Sequence, residues 1–234
     1  MFKQYKILSI IPARGGSKGI PNKNIQTLCG KPLIAYSVLA ALKSRYIDDV
    51  IVSTDSLIIQ ETARQSGAWV PFLRPAELAA DTSKTIDCML HAIRQLSNIG
   101  KSYDYVILLQ PTQPLRKPEW IDAALEQLIQ AKADSLVSIC QVSEHPILMR
   151  TITKEGTLKP LLPVSSTVRR QDFPNVYRVN GSIYINRINE HFNETTSLND
   201  NLLPFLMEQE YSIDIDTMED LKKAEAFLQH HPLF

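Results

Sequence analysis

The chain has 234 residues, 44% of them hydrophobic, which suits one large domain with its own core and argues against disorder. Its 25 basic and 25 acidic residues cancel, excluding attachment to nucleic acid or an anionic membrane through bulk charge but not a local basic pocket. Cys29, Cys88 and Cys140 lie far apart with no C-x-x-C pair, so reduced thiols are expected, without a disulfide framework or zinc site.

Residues Met1 to Lys6 lead straight into a strand without a signal-peptide h-region, and no apolar run is long enough to span a bilayer. A soluble, cytoplasmic protein is expected, and the sequon Asn193-Glu194-Thr195 is read as chance. Ile7-Leu8-Ser9-Ile10-Ile11 reads as a buried strand opening into a loop rich in glycine and cations. Lys31-Pro32 opens a helix through about Ser44, with Leu33, Ser37 and Ala40-Ala41 along one stripe. A short buried strand, residues 49–53, precedes a Thr54-Asp55-Ser56 cap and a helix that Gly67 stops. Residues 69–73 read as extended, and Thr85 to about Leu96 as helix.

Tyr105-Val106-Ile107-Leu108-Leu109 is apolar throughout, as a central strand would be. Pro118 fits the first turn of a helix facing inward through Ile121, Leu125 and Leu128, and Ser135 to Val142 forms a further strand. From residue 145 to about 175, prolines at 146, 160, 163 and 174 break the pattern and predict an arm inserted in a single domain spanning 1–234. Ser182 to Asn186 returns as a strand, 193–201 is a polar loop, and strand 211–215 precedes a helix through about Leu228. The alternation predicts an α/β fold with helices on both faces of the sheet.

Several segments carry candidate chemistry. In the loop after the first strand, Gly15, Gly16 and Gly19 let backbone N–H groups approach an anion, and Arg14, Lys18 and Lys23 supply charge enough for a triphosphate. Neither G-x-x-x-x-G-K-[ST] nor G-x-G-x-x-G is present, so the loop is either another kind of phosphate cradle or a basic surface turn. In Ile213-Asp214-Ile215-Asp216, strand alternation points Asp214 and Asp216 the same way while the isoleucines pack inward. Two such carboxylates suit Mg²⁺; alternatively, Asp216 or Thr217 caps the following helix. Gln110-Pro111-Thr112-Gln113-Pro114-Leu115-Arg116, directly after a central strand, should border the same cleft as the first loop.

The string Ala13 to Asn24, A-R-G-G-S-K-G-I-P-N-K-N, resembles the N-terminal signature of the acylneuraminate cytidylyltransferases, which activate nine-carbon 2-keto sugar acids with CTP. Residues 74–82, R-P-A-E-L-A-A-D-T, are similar to a second family motif, and 170–184 resemble its R-Q-x-x-P-x-x-[YF]-R-x-N-G-x-[IV]-Y run. The resemblance implies a Rossmann-like nucleotide-diphospho-sugar transferase fold with a mixed, mostly parallel sheet and a protruding dimerisation arm at 145–175. It implies that Ala13, Arg14, Gly15, Gly16, Asn22 and Lys23 hold the nucleotide, with Arg74 and Ser83 at cytidine. Lys18 joins Arg14 and Lys23 on the triphosphate, and Mg²⁺ is carried by Asp214 and Asp216. Gln110, Arg170, Gln171 and Tyr184 face the sugar acid, with the Arg170-Gln171 pair delivered to the neighbouring subunit of a homodimer. The partners implied are thus CTP and a sugar acid, with no nucleic acid or membrane. Residues 110–116 are similar to the family's Q-P-T-S-P-L-R with Gln113 in place of the Ser, and no Phe-Phe occurs in 187–203. The expected reaction forms a CMP-sugar of sialic or legionaminic type. A pseudaminic acid or Kdo enzyme, or a non-catalytic nucleotide-binding homologue, is the alternative.

Overall fold

A computed structural model of the chain describes residues 2, 4–164, 167 and 169–234, with Arg170 described by its backbone alone. The strands are β1 (Ile7–Pro12), β2 (Thr27–Leu28), β3 (Lys31–Pro32), β4 (Asp49–Ser53), β5 (Tyr105–Leu108), β6 (Ser135–Gln141), β7 (Arg150–Ile152), β8 (Leu158–Pro160), β9 (Tyr177–Arg187) and β10 (Leu203–Leu206). The helices are α1 (Leu33–Lys43), α2 (Leu57–Gln65), α3 (Thr85–Asn98), α4 (Pro118–Gln130) and α5 (Met218–His230). Six strands form one sheet in the order β10-β6-β9-β5-β1-β4. Only β9 runs against the others: it pairs antiparallel with β5 and β6, whereas β1 pairs parallel with β4 and β5, and β10 with β6. This is the mixed, mostly parallel sheet expected.

Period-two alternation sorts β1 between two cores. Ile7 and Ile11 join α1, α2 and α4 on one face; Leu8 and Ile10 join Ile86, Met89 and Leu96 of α3 on the other. The inward face of α4 is as read, since Ile121, Leu125 and Leu128 are all fully buried. Ser56 caps α2 by accepting from the Ile59 N–H, and Gly67, at φ +98°, ends that helix region.

Three readings need correction. Residues 211–215 are not a strand: Gln209–Tyr211 is a 3₁₀ turn, and the stretch after it pairs with no strand. Tyr211 and Ile215 instead pack into a third core with α1 and α5, while one backbone bond, Ile215 N–H to Thr112 O (2.9 Å), ties the segment across the sheet's end. The return strand begins five residues earlier than read, at Tyr177, so Asn180-Gly181 lies inside β9 rather than in a turn before it. Gly181 has φ +76°, and the register against β6 shifts at this point, as at a bulge. Strand β10 was missed because Pro204 sits in it, which an edge strand tolerates. In the predicted arm, β7 and β8 pair among the described residues only with each other and leave Ile152 and Leu158 exposed. Among the described residues no helix is long and apolar enough to cross a membrane.

Candidate functional site

In open α/β sheets, ligands bind beyond the carboxyl ends of neighbouring strands whose connections diverge. Strands β1 and β5 are such neighbours here. The loops that leave them, with residues 74–88 and Asp216, enclose a cavity of about 440 Å³. The walls include Arg14, Lys18, Lys23, Arg74, Ser83, Gln110 and Asp216, so the structure brings together seven candidates from four motifs.

Backbone contacts hold the first loop. The Ala13 N–H donates to Ser53 O (2.9 Å) and the Gly15 N–H to Asp55 Oδ1 (2.9 Å), while Asn24 Nδ2 donates to Arg14 O (3.0 Å). Asn22 takes the left-handed conformation at φ 53°, as asparagine tolerates. A Cβ on Gly19 would stand 2.3 Å from the Asp216 carbonyl oxygen, so only glycine lets these segments meet; Gly16 faces open space. Lys23 crosses the same junction, its Nζ donating to Ile215 O and Asp216 Oδ1, both at 2.9 Å. Arg14 and Lys18 converge on Asp81 at 2.7 and 2.8 Å, and their hydrogen bonds and charges hold its carboxyl below the usual carboxylate range.

Arg74 is 6% exposed, with Nη1 on Cys88 Sγ (3.0 Å) and Nη2 3.7 Å from Asp55. Its Nε has no protein partner, leaving a buried donor unsatisfied beside the cavity. Ser83 lines the cavity while its hydroxyl donates to Glu77 O (2.6 Å).

Gln110 also borders two adjoining cavities of about 420 and 340 Å³, and Tyr184 borders both. Tyr184 donates to Asn199 Oδ1 (3.2 Å); burial, assisted by the charge of Asp214, pushes its pKa up to about 12. Asp214 lines the smaller of these cavities and Asp216 lines the first. Ile215 between them is fully buried, so the alternation holds without a sheet ladder. Desolvation raises the Asp214 pKa, and Asp216 adds to the rise; Thr112, Lys23 and Gln113 act against it. The cap of α5 is Thr217, in a reciprocal box with Asp220, and Asp216 is left facing the cleft.

Of the arm candidates, Gln171 lines none of these three cavities. Gln171 lies in an exposed 3₁₀ turn, and the Arg170 side chain lies outside the described residues. The sequence reading missed Asp81 as an ion-pair partner, Cys88 beside Arg74, Arg178 and Asn199 at the second cleft, and Arg116 as a fully buried cation. Arg178 lies inside the quoted R-x-N-G run and was within reach of that signal; a buried arginine bonded to neutral acceptors leaves none.

Comparison with known proteins fits this geometry. A family model described as Cytidylyltransferase matches residues 8–234. The chain is 39% identical over 226 residues to CMP-N,N'-diacetyllegionaminic acid synthase of Legionella pneumophila, covering 96% of this chain and 97% of that one. It is 36% identical to an N-acylneuraminate cytidylyltransferase of Streptococcus agalactiae, covering 92% of this chain but only 51% of that longer protein. A CMP:2-keto-3-deoxy-manno-octonic acid synthetase solved with CTP superposes with a TM-score of 0.71 at 18% identity, over 96% of this chain and 99% of that one. The chain belongs to the cytidylyltransferase family, among enzymes of the acylneuraminate type.

Proposed function

We propose that this chain activates a nine-carbon 2-keto sugar acid of the sialic or legionaminic type with CTP, giving the CMP-sugar and pyrophosphate. The observation that carries this is that Gln110 stands in the walls of three cavities, a cation-lined one that Asp216 also lines and two polar ones, the smaller lined by Asp214. The names of the relatives support the same substrate class.

In this reading Arg14, Lys18 and Lys23 hold the triphosphate, and the loop of Ala13, Gly15, Gly16 and Asn22 presents its backbone to the phosphates. Arg74 and Ser83 flank cytidine; the free Nε of Arg74 offers a donor to the base. Gln110 and Tyr184 face the sugar acid, joined by Arg170 and Gln171 of the arm when two copies associate through 145–175. Exposed Ile152, Leu158 and Leu161 on that arm suit a homodimer contact. The anomeric 2-hydroxyl forms a bond to the α-phosphorus as the bond to the β-phosphate breaks, and pyrophosphate leaves with the electron pair. In this reading the hydroxyl proton goes to Asp216 or to a water beside it.

Two carboxylates opening on one cleft, with no third His, Cys, Asp or Glu grouped beside them among the described residues, fit Mg²⁺, which keeps water and phosphate oxygens as other ligands. When bound there it supplies positive charge against the phosphates. The test is Mg²⁺-dependent pyrophosphate release from CTP with N-acetylneuraminic, legionaminic and pseudaminic acids in parallel. Release with one acid, lost in Asp214→Ala, supports the reading; CTP binding without release with any of them contradicts it.

A further inference from the structure

Arg116 is the largest fully buried side chain among the described residues, and the reaction outlined above gives it no task. Its guanidinium donates from Nε to Ser182 O (2.9 Å), from Nη1 to Ser37 Oγ (2.9 Å) and from Nη2 to Gln110 O (3.0 Å). The Ser37 hydroxyl reaches the same Gln110 carbonyl at 3.3 Å. Among the described residues no carboxylate lies within salt-bridge distance of Arg116, and burial alone pulls its pKa down to about 9. A buried cation without a counter-charge is unfavourable, and it is kept here against the cost of burial. Its three bonds join three elements: α1 through Ser37, the turn at Gln110, and β9 through Ser182.

The neighbouring residue of β9 completes the geometry. A Cβ on Gly181 would stand 2.8 Å from Gln110 Oε1, so the Gln110 side chain lies directly against the Gly181 backbone. Gln110 is also the residue common to all three cavities. We infer that Arg116 is a positioning residue that fixes the spacing between the Gln110 turn and β9, and so presents the Gln110 amide to the sugar acid. This rests on the proposed reading that Gln110 faces that substrate. The charge is retained because its planar fork satisfies acceptors on three elements at once, which no neutral side chain does.

The test compares Arg116→Lys, Ser37→Ala and Gly181→Ala with the parent chain. Steady-state kinetics use whichever acid the parent turns over; CTP binding is followed by calorimetry and folding by thermal melting. Lysine keeps the charge but loses the fork, and Gly181→Ala both adds a methyl that displaces Gln110 from the opposite side and strains a backbone held at φ +76°, the strain being read by the melting temperature. The expected result is an acid KM raised about tenfold or more in Arg116→Lys and Gly181→Ala, with CTP Kd within about twofold of the parent. A smaller shift of the same kind is expected in Ser37→Ala, which removes one of the three Arg116 bonds and the hydroxyl's own bond to Gln110 O. A purely structural role would lower the melting temperature and leave the acid KM unchanged, which overturns the inference, as does an equal loss of CTP affinity. If Arg116→Lys does not fold, unchanged acid KM in both other variants overturns it. Turnover by the parent without the split refutes the inference alone; no turnover by the parent with any acid refutes the substrate reading and this inference with it.

Discussion

Replacing Gly19 by alanine probes the joint between the first loop and Asp216 in the candidate site. The new Cβ would lie 2.3 Å from the Asp216 carbonyl oxygen, whereas ordinary contacts begin at 3.4 Å, so the segments must part by about 1.1 Å. Both sides are backbone, and no side-chain rotation relieves the clash. Lys23 spans the same joint with two 2.9 Å bonds, to Ile215 O and Asp216 Oδ1, and an opening of that size breaks or badly bends both. Overpacking of this kind typically costs about 1–3 kcal/mol. For a domain of this size that is a fall of roughly 2–12 °C in melting temperature. The catalytic effect should be larger, because a misplacement of about 1 Å between reacting groups costs on the order of 100-fold in rate. Thermal melting and Mg²⁺-dependent pyrophosphate release measure the two effects on one preparation. In Gly16→Ala, where the added methyl meets nothing within 4 Å, melting should stay at the parental temperature. A Gly19→Ala enzyme with parental melting and parental rate would refute the reasoning.

Other variants test separate parts of the site. Asp81 holds Arg14 and Lys18 by partly exposed ion pairs, so Asp81→Asn should free their charge and tighten CTP and pyrophosphate binding by a few-fold at low salt. Calorimetry reads this directly, and weaker binding would show that Asp81 organises the cations rather than competing for them. Asp214 has a folded-state pKa raised above its unfolded value, so its charged form opposes folding and its contribution worsens as pH rises through that window. In metal-free buffer at neutral pH, Asp214→Asn should therefore melt higher than the parent while losing pyrophosphate release. The stability gain should shrink as pH falls and the parental carboxyl protonates; a variant that melts lower at neutral pH contradicts the assignment. Arg74→Lys removes the buried fork beside Cys88 and should weaken CTP about 10- to 100-fold, at about 1.5–3 kcal/mol for a charged hydrogen bond. Unchanged CTP affinity would place cytidine elsewhere.

Much of this architecture was legible in the sequence because buried parallel strands are largely apolar on both faces. Residues 7–11, 49–53 and 105–109 have that signature, and each forms a strand of the central sheet. Where burial is achieved by side-chain hydrogen bonds, the signature fails. Asn180 is 2% exposed because its amide bonds Ser138 and Ser212, so the polar start of β9 did not read as strand. The segment 211–215 shows the converse. Its alternation sets Ile215 inward and Asp214 and Asp216 toward the cleft, yet no partner strand lies beside it; a period of two establishes facing, not pairing.

The candidate site divides in the same way. Local spacing marked the first loop and the two aspartates, but it left Asp216 and Thr217 as equal candidates for the helix cap. The reciprocal bonds of Thr217 with Asp220 settle that choice. Asp81 and Arg116 act through partners far away in the chain, Lys18 and Ser182 among them, and a single sequence contains no trace of such pairings.

The central claim is that one cleft joins CTP to a 2-keto sugar acid. The most direct measurement is mass spectrometry of the product formed by the purified chain with CTP, Mg²⁺ and each of the three nine-carbon acids. The account predicts a CMP-sugar with one of the acids and an equal amount of pyrophosphate, both absent in Asp214→Ala. CTP that binds but is recovered intact with every acid would contradict it.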